Sequence, residues 1–153
     1  MTAGSDAHGP KQYERGPGFT RSMPSRYLKS EFCGRWPRVT AIWSSGPVLQ
    51  FEAQTDNGDS ALMGDLLSTT NQTDFTVSSA WSATPPGATL RLIVNGALYA
   101  KGEVAAEGQR NWRAPVHGTR WCTLELRGDH GAMLAVTNPI FLVHDGRSYK
   151  GAL

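Results

Sequence analysis

The feature that most constrains this chain is a two-residue rhythm of apolar side chains, beginning near Val39 and broken at short intervals by Gly, Pro and Asn. Leu49, Phe51 and Ala53 alternate with Gln50 and Glu52; Phe75, Val77, Ser79 and Trp81 alternate with Thr76, Ser78 and Ala80. Leu90, Leu92 and Val94, then Cys122, Leu124 and Leu126, repeat the pattern. Successive side chains of a strand point to opposite faces, so each run reads as a half-buried strand with one face on a core.

The punctuation agrees with that period. Asn95-Gly96 lies between two apolar runs, and a tight hairpin turn needs residues that accept positive φ at both central positions. Asp56-Asn57-Gly58, Pro85-Pro86-Gly87 and Gly128-Asp129-His130-Gly131 mark further turns. The last hairpin pairs Trp121–Arg127 with 132–137, and Asn138-Pro139 interrupts before Ile140–Val143. Seven to eight short strands at near-regular spacing predict a mainly β chain, an immunoglobulin-like antiparallel β-sandwich over residues 39–146, with 147–153 as a tail. At 153 residues, one such domain can bury a real core.

Residues 1–38 follow no such rhythm. Gly9-Pro10, Gly16-Pro17-Gly18 and Met23-Pro24 break any regular element, and only Ser25 to Phe32 has the makings of a short helix, with Ser25 as its cap and Gly34 as its stop. The segment holds seven Lys/Arg against three Asp/Glu, while 39–153 holds eight against ten. The basic residues are scattered, which fits a solvated surface rather than a nucleic-acid patch. With so little apolar surface, the segment is expected to lie against another body or to stay disordered.

Within this segment, Gly4-Ser5-Asp6-Ala7-His8-Gly9 sets a carboxylate and an imidazole two residues apart. On an extended backbone both point to one side, which suits two ligands of one metal centre. Two ligands do not make a catalytic site. Without support, metal binding by Asp6 and His8 is expected to be weak, and on this chain alone the pair also reads as an ordinary flexible tail.

The D-x-H of Asp6 and His8 resembles the closing motif of the PHP (polymerase and histidinol phosphatase) metallohydrolases. The remainder resembles the β-sandwich appended to the CehA/McbA-type branch of that family. The matching pieces are Ser45-Gly46-Pro47-Val48-Leu49, Gly64-Asp65-Leu66-Leu67, Val94-Asn95-Gly96 and the run from Leu134 through Thr137-Asn138-Pro139-Ile140 to Phe141. The resemblance implies that residues 1–38 are the end of an α/β (PHP) barrel, with Asp6 and His8 as metal ligands. It implies a complete enzyme that uses divalent Mn, Fe or Zn to activate water against a phosphoester. The family's opening H-x-H motif and middle ligands have no counterpart here, so this chain is expected to bind no metal stably by itself. Its expected partner is the missing PHP barrel, upstream or in another chain.

The other readings are plainer. There is no G-x-S-x-G nucleophile motif, no phosphate loop and no Cys/His zinc pattern, so no catalytic residue is assigned and activity of the isolated chain is not expected. Cys122 reads as a small buried apolar residue, and nothing in the spacing supports a disulfide with Cys33. Trp81 belongs to the core; for Trp36, Trp43, Trp112 and Trp121, packing is favoured over an aromatic platform for sugar or peptide. Gly64-Asp65 reads as a turn rather than a Ca²⁺ site, and Asp129-His130 as a polar hairpin tip. No run of about 18 apolar residues and no signal peptide are visible, which points away from the membrane and to the cytoplasm by default. A second functional reading is a free-standing immunoglobulin-like binding module with a disordered basic leader.

Overall fold

The computed structural model describes residues 19–22 and 41–144. These form twelve short strands: β1 (Phe19–Ser22), β2 (Ala41–Ser44), β3 (Val48–Thr55), β4 (Ser60–Leu62), β5 (Leu66–Ser68), β6 (Asp74–Ser82), β7 (Thr89–Val94), β8 (Ala97–Glu103), β9 (Gly108–Pro115), β10 (Trp121–Arg127), β11 (Met133–Thr137) and β12 (Ile140–Val143). A 3-10 turn spans Asp129–Gly131, and no α-helix occurs among the described residues. The mainly β expectation therefore holds, with more strands than the seven or eight that the alternation marks. The helix expected over 25–32 lies outside the described residues.

The strands make two sheets. The smaller has the order β4-β3-β6-β9 and is antiparallel throughout. The larger runs β8-β7-β10 and then forks. On its far side, β10 pairs with β11 through Glu125–Arg127 and with β12 through Trp121 and Cys122. From β11 the sheet continues antiparallel to β2 and β1, whereas from β12 it continues to β5 in parallel. Phe19–Ser22, from the segment without rhythm, thus joins this sheet as β1.

The fork has a local cause. Asn138-Pro139 separates β11 from β12, and a proline has no N–H to give to a ladder. Side chains take over there. The Thr137 hydroxyl accepts from the Leu124 N–H at 3.1 Å, and the Thr123 hydroxyl donates to the Thr137 carbonyl at 2.8 Å. The two hydroxyls lie 3.0 Å apart, and with the Thr123 proton spent on the carbonyl, Thr137 is the donor between them. The Leu124 N–H and the Thr137 carbonyl thus both have partners at the gap, as burial demands.

The inward faces of both sheets share one core. Leu49, Phe51 and Ala53 of β3 and Phe75, Val77 and Trp81 of β6 meet Leu90 and Leu92 of β7, Cys122, Leu124 and Leu126 of β10, and Ile140 and Leu142 of β12. Apart from Ile140 and Leu142, these are the residues the alternation points inward. Each fully buried Leu or Phe stabilises the fold by about 1.5–3 kcal/mol relative to exposure. Ser79, the polar member of its series, is buried and donates to the Arg110 carbonyl at 2.8 Å.

Turn chemistry also follows the sequence. Asn95 and Gly96 take φ of +50° and +87°, the double positive pair that a type I′ hairpin requires between β7 and β8. Gly58, Gly87 and Gly131 occupy the left-handed positions of the other expected turns.

Candidate functional site

Asp6 and His8, the pair the sequence singles out, lie outside the described residues, as do Cys33 and Trp36. Among the described residues no group of three or more His, Cys, Asp or Glu is arranged to hold a metal ion. His130 sits exposed on the 3-10 turn at φ +56°. His117 and His144 line one open cleft of about 320 Å³ with Thr69, Asn71, Gln72, Val116 and Gly118. His144 is a strut there rather than a free ligand. Its Nε2 lies 3.1 Å from the Thr119 carbonyl, which can only accept, so Nε2 carries a proton. Its Nδ1 lies 3.1 Å from the Thr69 hydroxyl, so the ring ties the chain after β12 to the ends of two other connections.

Nucleophilic chemistry at Cys122 is closed off in the same way. The side chain is buried in β10, and burial pushes its thiol up to about 12, so it stays protonated at neutral pH. The expectation of a small apolar core residue is met.

Two of the earlier segments that carry the family resemblance meet the Leu134–Phe141 run, one at the start of β11 and one at the fork. The Ser45 N–H donates to the Leu134 carbonyl at 2.9 Å, beside the β2–β11 pairing. The Gly64 N–H donates to the Pro139 carbonyl at 3.0 Å, and the Phe141 N–H to the Asp65 carbonyl at 3.1 Å. Gly64 needs its glycine because φ is +90°. The turn reading of Gly64-Asp65 is therefore the correct one. Asn95 does more than turn the chain: its Oδ1 accepts from the N–H groups of Arg120 and Trp121 at 2.9 and 3.3 Å, while its Nδ2 donates to the Gly118 carbonyl at 2.7 Å. The side chain clamps the β9–β10 connection onto the β7–β8 hairpin.

The described Trp residues do not form an exposed platform. Trp81 is core and its indole N–H donates to the Ala105 carbonyl at 3.0 Å; Trp43, Trp112 and Trp121 are half-buried. Exposed apolar area lies instead in a row across the larger sheet, where Trp121 of β10 is register partner to Phe141 of β12, itself partner to Leu66 of β5. Phe141 and Leu66 are 42% and 41% exposed.

One arrangement escaped the sequence reading entirely. β9 faces the core with Gly108, Arg110, Trp112 and Ala114, the residues opposite Trp81, Ser79, Val77 and Phe75. Arg110 therefore points inward, at the side where β8 and β9 are the last strands of their sheets. Its guanidinium lies 5.9 Å from the ring centroids of both Trp81 and Trp112 and donates to the Glu103 carbonyl at 3.1 Å. Outward-facing Arg113 instead pairs with Asp56 at 3.0 Å and Asp74 at 3.7 Å, exposed contacts that contribute little.

No helix among the described residues is long and apolar enough to cross a membrane. A scan against protein-family models finds no match for this chain, and searches of curated proteins and of solved structures find none either.

Proposed function

We propose that this chain is the C-terminal part of a PHP-type metal-dependent hydrolase of the CehA/McbA kind: a barrel-end segment carrying Asp6 and His8, followed by an immunoglobulin-like β-sandwich that performs no chemistry of its own. The observation that carries the reading is that two of the earlier resembling pieces meet the last one, along β11 and β12. Ser45 is hydrogen-bonded to Leu134 at the start of the Leu134–Phe141 run, and Gly64 and Asp65 to Pro139 and Phe141 at its end. They act as one structural unit, as parts of a shared domain should.

The strand order supports the immunoglobulin-like part of the reading. β3-β6-β9 corresponds to the A, B and E strands, and β8-β7-β10 followed by β11 and β12 to C′, C, F and G. The parallel pairing of β5 with β12 matches a first strand that crosses between sheets to lie beside the last.

The described residues offer no metal site, and Asp6 with His8 supplies two ligands where a hydrolytic centre needs three or more protein ligands. No catalytic step is therefore assigned to this chain. A self-contained core, closed by the chain's own strands, favours the second reading of a free-standing binding module.

The test is hydrolysis of bis-p-nitrophenyl phosphate with Mn²⁺, Fe²⁺ or Zn²⁺. The chain alone is expected to give no turnover. Joined to a PHP barrel that supplies the H-x-H motif and the middle ligands, it is expected to turn over and to lose that activity on Asp6→Ala or His8→Ala. Robust turnover by the chain alone, or indifference of the joined enzyme to both substitutions, would overturn the proposal.

A further inference from the structure

Among the described residues, two strand edges without a further ladder partner lie on the same side. β9 ends the smaller sheet and has β6 as its ladder partner; β8 ends the larger and has β7. An unpaired edge offers a row of backbone donors and acceptors to any other extended chain, and β9 is eight residues long. Native proteins blunt such edges, and one device is a charged side chain pointing inward at the edge.

Arg110 has that placement. It points inward from β9, sets its guanidinium 5.9 Å from the ring centroids of both Trp81 and Trp112, and donates across to the Glu103 carbonyl on β8. Gly102 makes the room: a Cβ there would lie 1.7 Å from Arg110 Nη1. Beside it, the Tyr99 hydroxyl of β8 donates to the Arg113 carbonyl of β9 at 3.1 Å, a second bridge between the two edges. An arginine among apolar neighbours is costly to place, and its seat beside two indoles with a carbonyl acceptor offsets that cost.

We propose that Arg110 is an edge guard: seated beside Trp81 and Trp112, it ties β9 to β8 and keeps this open side from pairing with the β9 edge of a second copy. The guard works through geometry as much as charge. With Arg110 out of its seat, β9 keeps only the Tyr99 bridge to β8, and its backbone around Arg110 is free to meet another β9.

The test compares three variants of the full chain by sedimentation equilibrium and by hydrogen exchange of the β9 amides. Arg110→Ala removes the guard. Gly102→Ala expels the guanidinium while leaving its charge on the chain. Arg113→Ala removes an outward-facing charge from the same strand. The first two are expected to self-associate at least about tenfold more tightly than the parent, with slowed exchange at Gln109, Asn111 and Arg113 in the associated form. Arg113→Ala is expected to behave like the parent. Monomeric, folded Arg110→Ala and Gly102→Ala proteins would overturn the proposal, as would association that leaves β9 exchange unchanged, or a parent chain that already pairs through β9. Should Arg110→Ala fail to fold, Gly102→Ala decides by the same readouts.

Discussion

Gly108 lies against the face of Trp81 so closely that a methyl group on it would come within 2.8 Å of Cζ2 and 3.2 Å of Cε2. Trp81 cannot step aside without loss, because its ring is in the core and its N–H is spent on the Ala105 carbonyl. Gly108→Ala is therefore expected to destabilise the fold by about 1–3 kcal/mol through overpacking. The urea midpoint, followed by tryptophan fluorescence, measures this; an unchanged midpoint would show that the ring moves freely.

Asn95 is expected to resist substitution more than a turn residue should. Asn95→Gly keeps the positive φ and loses three side-chain hydrogen bonds, so its cost isolates the clamp on Gly118, Arg120 and Trp121. About 1–3 kcal/mol is expected from the amides and carbonyl left behind, with water recovering part of it because the site is exposed. Asn95→Asp, which keeps both accepted bonds, should fall between the two. Thermal melts of the three proteins rank them, and a Gly variant equal to the parent would reduce Asn95 to its turn.

At the fork, Thr137→Val keeps the shape and removes the acceptor for the Leu124 N–H. That donor is buried, so a loss of about 1–3 kcal/mol is expected, together with faster hydrogen exchange at Leu124. Thr137→Ser retains the hydroxyl and should lose less. Equal stability of the Val and Ser variants would show that the hydroxyl network is dispensable.

Burial holds the Cys122 thiol at about 12, above its ordinary value of 9.0. The unfolded chain releases this proton first, so the contribution of Cys122 to stability is complete below about pH 9 and is lost as pH rises towards 12. The slope attributable to this group approaches about 1.4 kcal/mol per pH unit within that window. Comparing the parent with Cys122→Val between pH 8 and 11 isolates it, since the variant lacks the group. Parallel stability curves would refute the assignment, and a thiol reagent should label Cys122 only as the chain unfolds.

The core was legible because burial leaves a mark that can be read locally. Leu49, Phe51 and Ala53 repeat every second residue, and all three are inside. β4 and β5 were not legible, since three residues cannot display a period. β9 was hidden for another reason: its inward face reads Gly108, Arg110, Trp112, Ala114, with a charge where the pattern expects an apolar side chain. The break at Asn138-Pro139 could be foreseen from the missing N–H of proline, but not which strands would dock on either side of it. That depends on β2 and β5, about 70 to 100 residues earlier in the chain. Asp6 and His8 were the most conspicuous candidates, and they lie outside the described residues.

The interruption at Asn138-Pro139 gives the final strand two tenants. The half before it hosts the arm made of β1 and β2; the half after it hosts β5, which arrives from within the body of the fold. Neither tenant sets the other's alignment, because no ladder runs unbroken past the proline. An insertion that slides β2 along β11 can leave β5 in step with β12, but Ile42 of β2 is in the core, so only the β1 side of the arm can be lengthened or exchanged without repacking.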